Sequence, residues 1–404
     1  MTTVARRLRI LVLSWNYPTK AAPHRGLWVQ RMCDAVSSEA EVTVIVPTPW
    51  VPPLVPARSL ARFRRVPQRE RRAGVEVYFP RVPGSIEYHT HAIDARLAFP
   101  FVLRLARRLH QERVFDLIHA HFIYPDGSVA SRLGTELGVP VMTSEHALWT
   151  PWLTDRTRIG SQVDRALSKI HLVTAVSGFL RNSIEEYARG RVDTAILSNV
   201  IDDRIFSPAR RQRDPQELLY VGAVRKVKRV DVLLRALAKV RDALPGLRLR
   251  LVLADAFRAY ASDSREIRAL ISSLGIDSMV RLENGLDPPA VAEAMRRCAF
   301  VVVSSTRRET FCSVAAEALA CGTPLIMTRC GGPEEFVSPA DGVMVEPDNP
   351  DAFAKGILQG MQQRDKFWVD AARNGIINRF GRVAWREQAM ATYERVAARS
   401  TRMQ

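Results

Sequence analysis

Short apolar runs alternate with amphipathic stretches along the whole chain. "RILVLSW" (9–15) and "EVTVIVPT" (41–48) are apolar runs of strand length, and "GLWVQRMCDAVSSE" (26–39) between them carries apolar residues at helical spacing. The alternation continues with "AFPFVLRLARRLHQE" (98–112) as helix, "FDLIHAH" (115–121) as strand, "DGSVASRLGTELG" (126–138) as helix and "PVMTSEH" (140–146) as strand. "RALSKIHLVTAVS" (165–177) and "TAILSNV" (194–200) extend it. Strands alternating with helices predict a parallel sheet covered on both faces.

The pattern breaks at "NVIDDRIFSPARRQRDPQ" (199–216), a polar stretch with two prolines that reads as a linker. A second series follows. Strands are predicted at "ELLYVGAV" (217–224), "LRLRLVLAD" (247–255), "VRLEN" (280–284), "AFVVVSS" (299–305), "PLIMTRCGG" (324–332) and "DGVMVEP" (341–347). Helices are predicted at "RVDVLLRALAKVRDAL" (229–244), "REIRALISSLG" (265–275) and "PAVAEAMRRC" (289–298), with further helices from about Asp351 to the end. The fold class is therefore α/β, with two doubly wound domains at 1–200 and 201–384. Ligands of such sheets bind outside the carboxyl ends of the strands, which places the expected site in a cleft between domains.

The length of 404 residues agrees with two domains. No apolar run approaches the roughly 18 residues needed to span a bilayer. The basic start followed by "ILVLSW" mimics a signal peptide, but the run is too short and no small-residue cleavage site follows. Five scattered cysteines without metal-type spacing point to a reduced, cytoplasmic interior. The net charge is +17, and residues 51–113 are rich in arginine and contain no lysine. A solvated basic surface explains this, and so does contact with an anionic bilayer or a phosphorylated lipid carrier. Nucleic acid is the weaker reading, because no recognition motif accompanies the charge.

The candidate chemistry lies in "RRETFCSVAAEALACGTP" (307–324). Glu309 follows a strand, and Glu317 sits eight residues later among alanines, about two helical turns away if the stretch is helical. A helix starting near Cys312 or Ser313 offers free N–H groups, which attract phosphate. Carboxylates accept from vicinal hydroxyls. Two glutamates flanking such a helix start suit a sugar, a diphosphate and a ribose in that order, which describes a nucleotide sugar. The structural alternative is that Glu309 caps the helix and Glu317 pairs with an arginine.

"SSTRRETFCSVAAEALACGTPLI" (304–326) followed by "CGGPEEFV" (330–337) resembles the donor-binding signature of the retaining glycosyltransferases of family 4, whose fold is the two-Rossmann-domain GT-B type. "YPTKAAPHRGLWVQ" (17–30), "DLIHAHFIYPDG" (116–127), "PVMTSEHALW" (140–149), "VTAVSGFLRNSI" (173–184), "YVGAVRKVKRVDVLLRAL" (220–237) and "AWREQAMATYERV" (384–396) resemble successive segments of the same family. The opening segment is most similar to members that build cell-surface polysaccharides. The resemblance implies that the first domain binds an acceptor, the second binds the donor, and the closing helix at about 385–404 packs back on the first.

It also implies roles for single residues. Glu309 holds donor-sugar hydroxyls, and Glu317 holds the ribose diol. The main-chain N–H groups of Phe311, Cys312 and Ser313 meet the sugar and diphosphate. Lys228 neutralises charge growing on the leaving diphosphate. Gly26 allows close approach of a first-domain loop, His146 lines the site beside the anomeric carbon, and the loop at Leu286 reads the base. Two positions depart from the pattern. Ala223 stands where the family carries an arginine, a role left to Arg225 or Lys226, with Arg225 preferred. "LADAFRAY" (253–260) replaces a glycine-rich turn.

The sequence contains no Asp-x-Asp, so no metal or other cofactor is expected. The implied reaction retains configuration through a same-face displacement. The expected partners are a nucleotide-sugar donor, with UDP favoured, and a saccharide or lipid-linked saccharide acceptor. A small soluble acceptor is the alternative, and a nucleotide-sugar epimerase is the rival enzyme. The expected location is the cytoplasm, with docking on the inner membrane face through the arginine-rich segment.

Overall fold

The computed structural model describes residues 6–51, 62–83, 94–149, 159–209, 213–253, 261–367 and 370–399. The chain forms two compact units, Met1–Val200 with Trp385–Gln404, and Ile201–Ala384. Among the described residues, no helix is long and apolar enough to cross a membrane.

The first unit is built on strands β1 (Leu8–Leu13), β2 (Ala40–Ile45), β3 (Thr48–Pro49), β4 (Arg69–Arg72), β5 (Val75–Tyr78), β6 (Arg81–Val82), β7 (Leu117–His121), β8 (Val141–Glu145), β9 (Leu172–Ala175) and β10 (Thr194–Ile196). Eight of them form one sheet in the order β10-β9-β8-β7-β1-β2-β5-β4. Strands β7, β8 and β9 are buried along their whole length, which is why they read as unbroken apolar runs.

One edge departs from the expected all-parallel sheet. Strand β4 runs antiparallel to β5, and a tight turn at Ala73 (φ 44°) and Gly74 (φ 86°) joins them. Positive φ at both turn residues matches the twist of a two-residue hairpin. The sequence "RERR" has no apolar period, yet Arg69 Nε lies 2.9 Å from Glu76 Oε2 across the pair. A short charged edge strand of this kind also resists pairing with a second sheet.

The closing helix Arg382–Ala397 belongs to this unit from Trp385 onward. Its Trp385, Ala389, Tyr393 and Val396 recur at helical spacing and lie in the same apolar core as β1 and β2. The Trp385 indole donates to the Ser198 carbonyl at 2.6 Å.

The second unit contains strands β11 (Glu217–Gly222), β12 (Arg248–Leu253), β13 (Val280–Asn284), β14 (Phe300–Val303), β15 (Leu325–Thr328) and β16 (Gly342–Val345). All neighbours are parallel, in the order β13-β12-β11-β14-β15-β16. This is the doubly wound order, and it reverses between β11 and β14. A crevice opens at the carboxyl ends of such a pair, because the two following connections leave in opposite directions.

The division between the units falls within the linker stretch 199–216, and several of its described residues are packed. Ile201 donates to the Phe380 carbonyl at 2.8 Å, and Phe206 is buried. Arg296 donates to the carbonyls of Ile205 and Ser207, both at 2.6 Å. Pro208 and Pro215 line a cavity of the second unit, and the Arg213 guanidinium donates to the Gly322 carbonyl; residues 210–212 lie outside the described residues.

Replacing Trp385 with alanine removes a buried aromatic and its hydrogen bond. The expected loss is about 3–5 kcal/mol of stability, read from urea denaturation. An unchanged midpoint would remove the closing helix from the core.

Candidate functional site

The second unit gathers its polar groups at the β11/β14 crevice. The loop after β11 ends in a turn, Lys226–Lys228, in which the Lys228 N–H donates to the Arg225 carbonyl at 2.8 Å. Two bonds tie this loop to the one after β14. Ser304 Oγ donates to the Lys228 carbonyl at 2.8 Å, and the Thr306 N–H donates to the Val227 carbonyl at 2.8 Å.

Glu309 is fixed through its main chain. Its N–H donates to the Cys330 carbonyl at 2.9 Å, and its own carbonyl accepts from the Gly332 N–H at 2.8 Å. The second glycine of "CGG" is sterically required. A Cβ on Gly332 would lie 1.9 Å from the Thr310 carbonyl oxygen.

The side chain of Glu309 then reaches Lys228. Nζ lies 2.7 Å from Oε2, and Ser305 Oγ donates to the same oxygen at 2.8 Å. Among the described residues Oε1 has no assigned partner. Lys228 is 26% exposed and Glu309 14%, so the pair is shielded but reachable. Burial alone would lower the Lys228 pKa. The Glu309 carboxylate, Cys312 and Tyr220 outweigh it and hold the ammonium above its usual value. Lys228 is therefore a cation throughout the physiological range. The Cys312 thiol is pushed up to about 12, first by burial and then by Glu309, and stays neutral.

The helix Ser313–Ala320 starts beside this pair. Its N-cap is Cys312, whose side chain makes no cap bond. Glu309 therefore does not cap the helix, and the structural alternative for it is set aside. Glu317 lies one turn into the helix and is 6% exposed. The separation between the glutamates is a loop plus one turn, shorter in helix than two full turns.

The N–H groups of Phe311, Cys312 and Ser313 have no protein acceptor assigned among the described residues. Cys312 sits at φ 60° and ψ 71°, a left-handed conformation that turns the chain into the helix. The Phe311 ring is buried between Phe336 and Phe380, at centroid distances of 5.4 and 5.2 Å. Anchoring the ring fixes the main chain that carries these donors. Helix starts with free N–H groups are anion sites.

The other predicted residues are more dispersed. Arg225 is exposed at the head of the Lys226–Lys228 turn, and its guanidinium has no assigned partner among the described residues. Ala223 contributes only its carbonyl, which accepts from the Tyr220 hydroxyl at 3.3 Å. Leu286 follows β13, two strands from β11, and is partly buried. Residues 254–260 of "LADAFRAY" lie outside the described residues.

Gly26 and His146 belong to the first unit. Gly26 (φ 65°) precedes the helix Leu27–Val36, and a Cβ there would lie 2.1 Å from the Asn16 carbonyl oxygen. The local backbone thus needs glycine before any ligand is considered. Both ring nitrogens of His146 are engaged. Nδ1 lies 3.2 Å from Asn199 Oδ1, and Nε2 lies 3.0 Å from His121 Nδ1. Since Asn199 Oδ1 can only accept, His146 carries its proton on Nδ1 and accepts from His121 at Nε2.

The His146 N–H donates to Glu145 at 3.0 Å, and the same carboxyl accepts from the Trp149 indole at 2.9 Å. Next along, His119 meets Ser144 Oγ at 2.7 Å and the Tyr393 hydroxyl at 3.1 Å. His119 and His121 stack at 4.4 Å. Burial lowers all three histidines, His146 to about 4 and His119 to about 3.

Sequence reasoning did not single out Ser304, Ser305, Gly332, His121 or Asn199. The only signal for the serines was the abrupt polar end of an apolar strand. The histidine partners are joined across neighbouring strands, and no local pattern marks them.

A histidine that is neutral when folded and titrates near 6.5 when unfolded supports folding fully above that value. The contribution is lost as pH falls toward the folded pKa. Between pH 7 and 5, wild type should therefore lose about 2 kcal/mol more stability than a His119→Gln variant, measured by urea denaturation at both pH values. Equal losses would mean that His119 is not buried neutral.

Comparison with known proteins bears on both units. Residues 202–375 match the model for glycosyl transferases group 1, and residues 27–205 match the model for glycosyltransferase family 4. D-inositol 3-phosphate glycosyltransferases from Thermobifida fusca and Nocardiopsis dassonvillei are 31% and 29% identical, each over 63% of this chain. The alignments span 64% and 65% of those relatives' lengths. A sucrose-phosphate synthase from Thermosynechococcus elongatus superposes with a TM-score of 0.76 at 18% identity, over 97% of this chain and all of its own. Anabaena HepE in complex with UDP and glucose superposes with a TM-score of 0.72 at 20% identity, over 96% of this chain and all of its own. The fold is GT-B, with two Rossmann-like units.

Proposed function

We propose that this GT-B chain is a retaining glycosyltransferase that moves a sugar from a nucleotide-sugar donor, a UDP-sugar, to a hydroxyl of a saccharide or lipid-linked saccharide. The observation that carries the reading is the β11/β14 crevice. There a fixed carboxylate has one oxygen on Lys228 and Ser305 and, among the described residues, the other unengaged, next to three N–H groups without an acceptor among those residues. The two matched family models and the UDP complex of Anabaena HepE support the donor class.

In this reading Glu309 Oε1 accepts from donor-sugar hydroxyls. The N–H groups of Phe311, Cys312 and Ser313 bind the diphosphate, and Glu317 takes the ribose diol. Lys228 has two N–H groups left after Glu309, and they face the charge that grows as the bond between the anomeric carbon and the phosphate oxygen breaks. The bonding pair leaves with the diphosphate. The acceptor oxygen forms the new bond on the same face, and its proton passes to the departing phosphate. The enzyme contributes position and charge, and needs no metal. Arg225, exposed in the same turn, supplies the second cation that Ala223 does not.

The second unit is then the donor domain, and the first binds the acceptor. His146 has both ring nitrogens and its main-chain N–H engaged, so it offers the acceptor side its main-chain carbonyl and a fixed, neutral ring. The names of the inositol-phosphate relatives favour a second reading, a small phosphorylated acceptor. The arginine-rich segment suits that acceptor and an anionic membrane equally. Product analysis with a labelled UDP-sugar, offered a sugar phosphate or a lipid-linked saccharide, separates the two.

Lys228→Ala is expected to lower kcat about 10²–10³-fold while changing UDP affinity much less. Activity should persist in chelator. An unchanged kcat in the variant overturns the role of Lys228, and loss of activity in chelator overturns the metal-free reading.

A further inference from the structure

The opposite edge of the second sheet carries a different cavity. Its volume is about 530 Å³, and Pro215, Ala299 and Pro324 line it just before β11, β14 and β15 begin. It therefore lies at the amino ends of the strands whose carboxyl ends, or following loops, carry Lys228 and Glu309. A strand of four to six residues separates the two edges by roughly 13–20 Å.

Three arginines line this cavity, Arg213, Arg296 and Arg364, against a single acid, Asp365. Arg296 is spent on structure: it donates to the carbonyls of Ile205 and Ser207, and Glu293 lies 3.6 Å away. Arg364 donates weakly to the Pro215 carbonyl at 3.4 Å and, among the described residues, has only Asp365, at 3.7 Å, as a counterion. Arg213 has none. Its guanidinium donates to the Gly322 carbonyl, and among the described residues no carboxylate pairs with it. The thiols of Cys298 and Cys321 lie near it, both pushed up by burial and so neutral.

A part-buried guanidinium without a counter-charge is costly unless something anionic offsets it. The guanidinium fork matches phosphate oxygens in a bidentate manner. The rest of the wall is apolar, with Pro208, Pro324 and Phe367. The volume lies in the range of small-molecule pockets and exceeds what a bare anion fills.

We propose that this cavity is a binding site for a small soluble organic phosphate, separate from the donor site, with Arg213 and Arg364 on the phosphate and the proline and phenylalanine wall on the organic part. The proposal does not depend on the glycosyl-transfer reading.

Isothermal titration of the full chain with glucose 6-phosphate, with inorganic phosphate and with glucose tests it at constant ionic strength. Saturable binding of glucose 6-phosphate, tighter than phosphate alone and absent for glucose, is the expected result. Arg213→Gln and Arg364→Gln should each weaken it about tenfold or more, the usual worth of a hydrogen bond to a charged group. Arg364 is exposed enough that its variant should fold, and UDP binding to that variant should equal wild type. Equal glucose 6-phosphate affinity in Arg364→Gln and wild type overturns the proposal. So does the absence of binding to wild type, or capture only by phosphatidic acid vesicles.

Discussion

The contact between Lys228 and Glu309 is the constraint on which the second unit's site depends. The two residues are 81 positions apart and leave different strands, so the pair forms only when β11 and β14 lie side by side. A shielded ion pair gains little net stability, because desolvation offsets most of the attraction. Its value is geometric. The carboxylate is held at one oxygen and, among the described residues, open at the other, and the ammonium is held charged at a known place. Both backbones are stitched by Ser304, Thr306 and Gly332, so neither charge has to be reorganised when a ligand arrives. Charge assembled in advance is what a reaction with a developing anion requires.

The backbone around the pair is constrained as tightly as the side chains. Gly332 packs under Thr310, Phe311 is locked into an aromatic cluster, and Cys312 takes a left-handed conformation uncommon outside glycine. Each of these would be a poor choice in a loop selected only for stability. Together they present consecutive N–H groups that no atom of the described residues accepts. Unmet donors and an uncommon backbone conformation in one loop are the marks of a segment shaped for a ligand rather than for the core.

Most of the fold was legible because parallel strands buried on both faces leave continuous apolar runs. The edge strand Arg69–Arg72 was not, since a charged edge strand carries no apolar period and is defined by its neighbour Val75–Tyr78. The linker 199–216 was placed correctly between the units, but its packing was not legible. Its polar surface hid Phe206, and its carbonyls are satisfied by Arg296, which is remote in sequence. Glu309 and Glu317 stood out in the sequence because acids beside a buried strand and among alanines demand an explanation. Their reading as two hydroxyl-binding acids on either side of a phosphate came from their spacing around a helix start, whereas Lys228 was tied to the same site only through the family resemblance. The partners Ser305, His121 and Asn199 were out of reach, because each contact joins chain segments through the sheet rather than along it.

The two units solve the burial of polar groups in opposite ways. The second holds a permanent cation against a carboxylate. The first links three histidines, His121 to His146 by a hydrogen bond and His119 to His121 by ring contact, and keeps them neutral by burial. A neutral chain adds no charge to the ring of His146, while the Asn199 and His121 contacts fix its tautomer and plane. Tyr393 ends that chain and comes from the closing helix, so the last segment of sequence holds the histidines that the middle of the sequence supplies. Order at His146 therefore rests on the docking of a helix more than two hundred residues away. A disturbance of that helix would reach the histidine chain without touching any residue of the β11/β14 crevice.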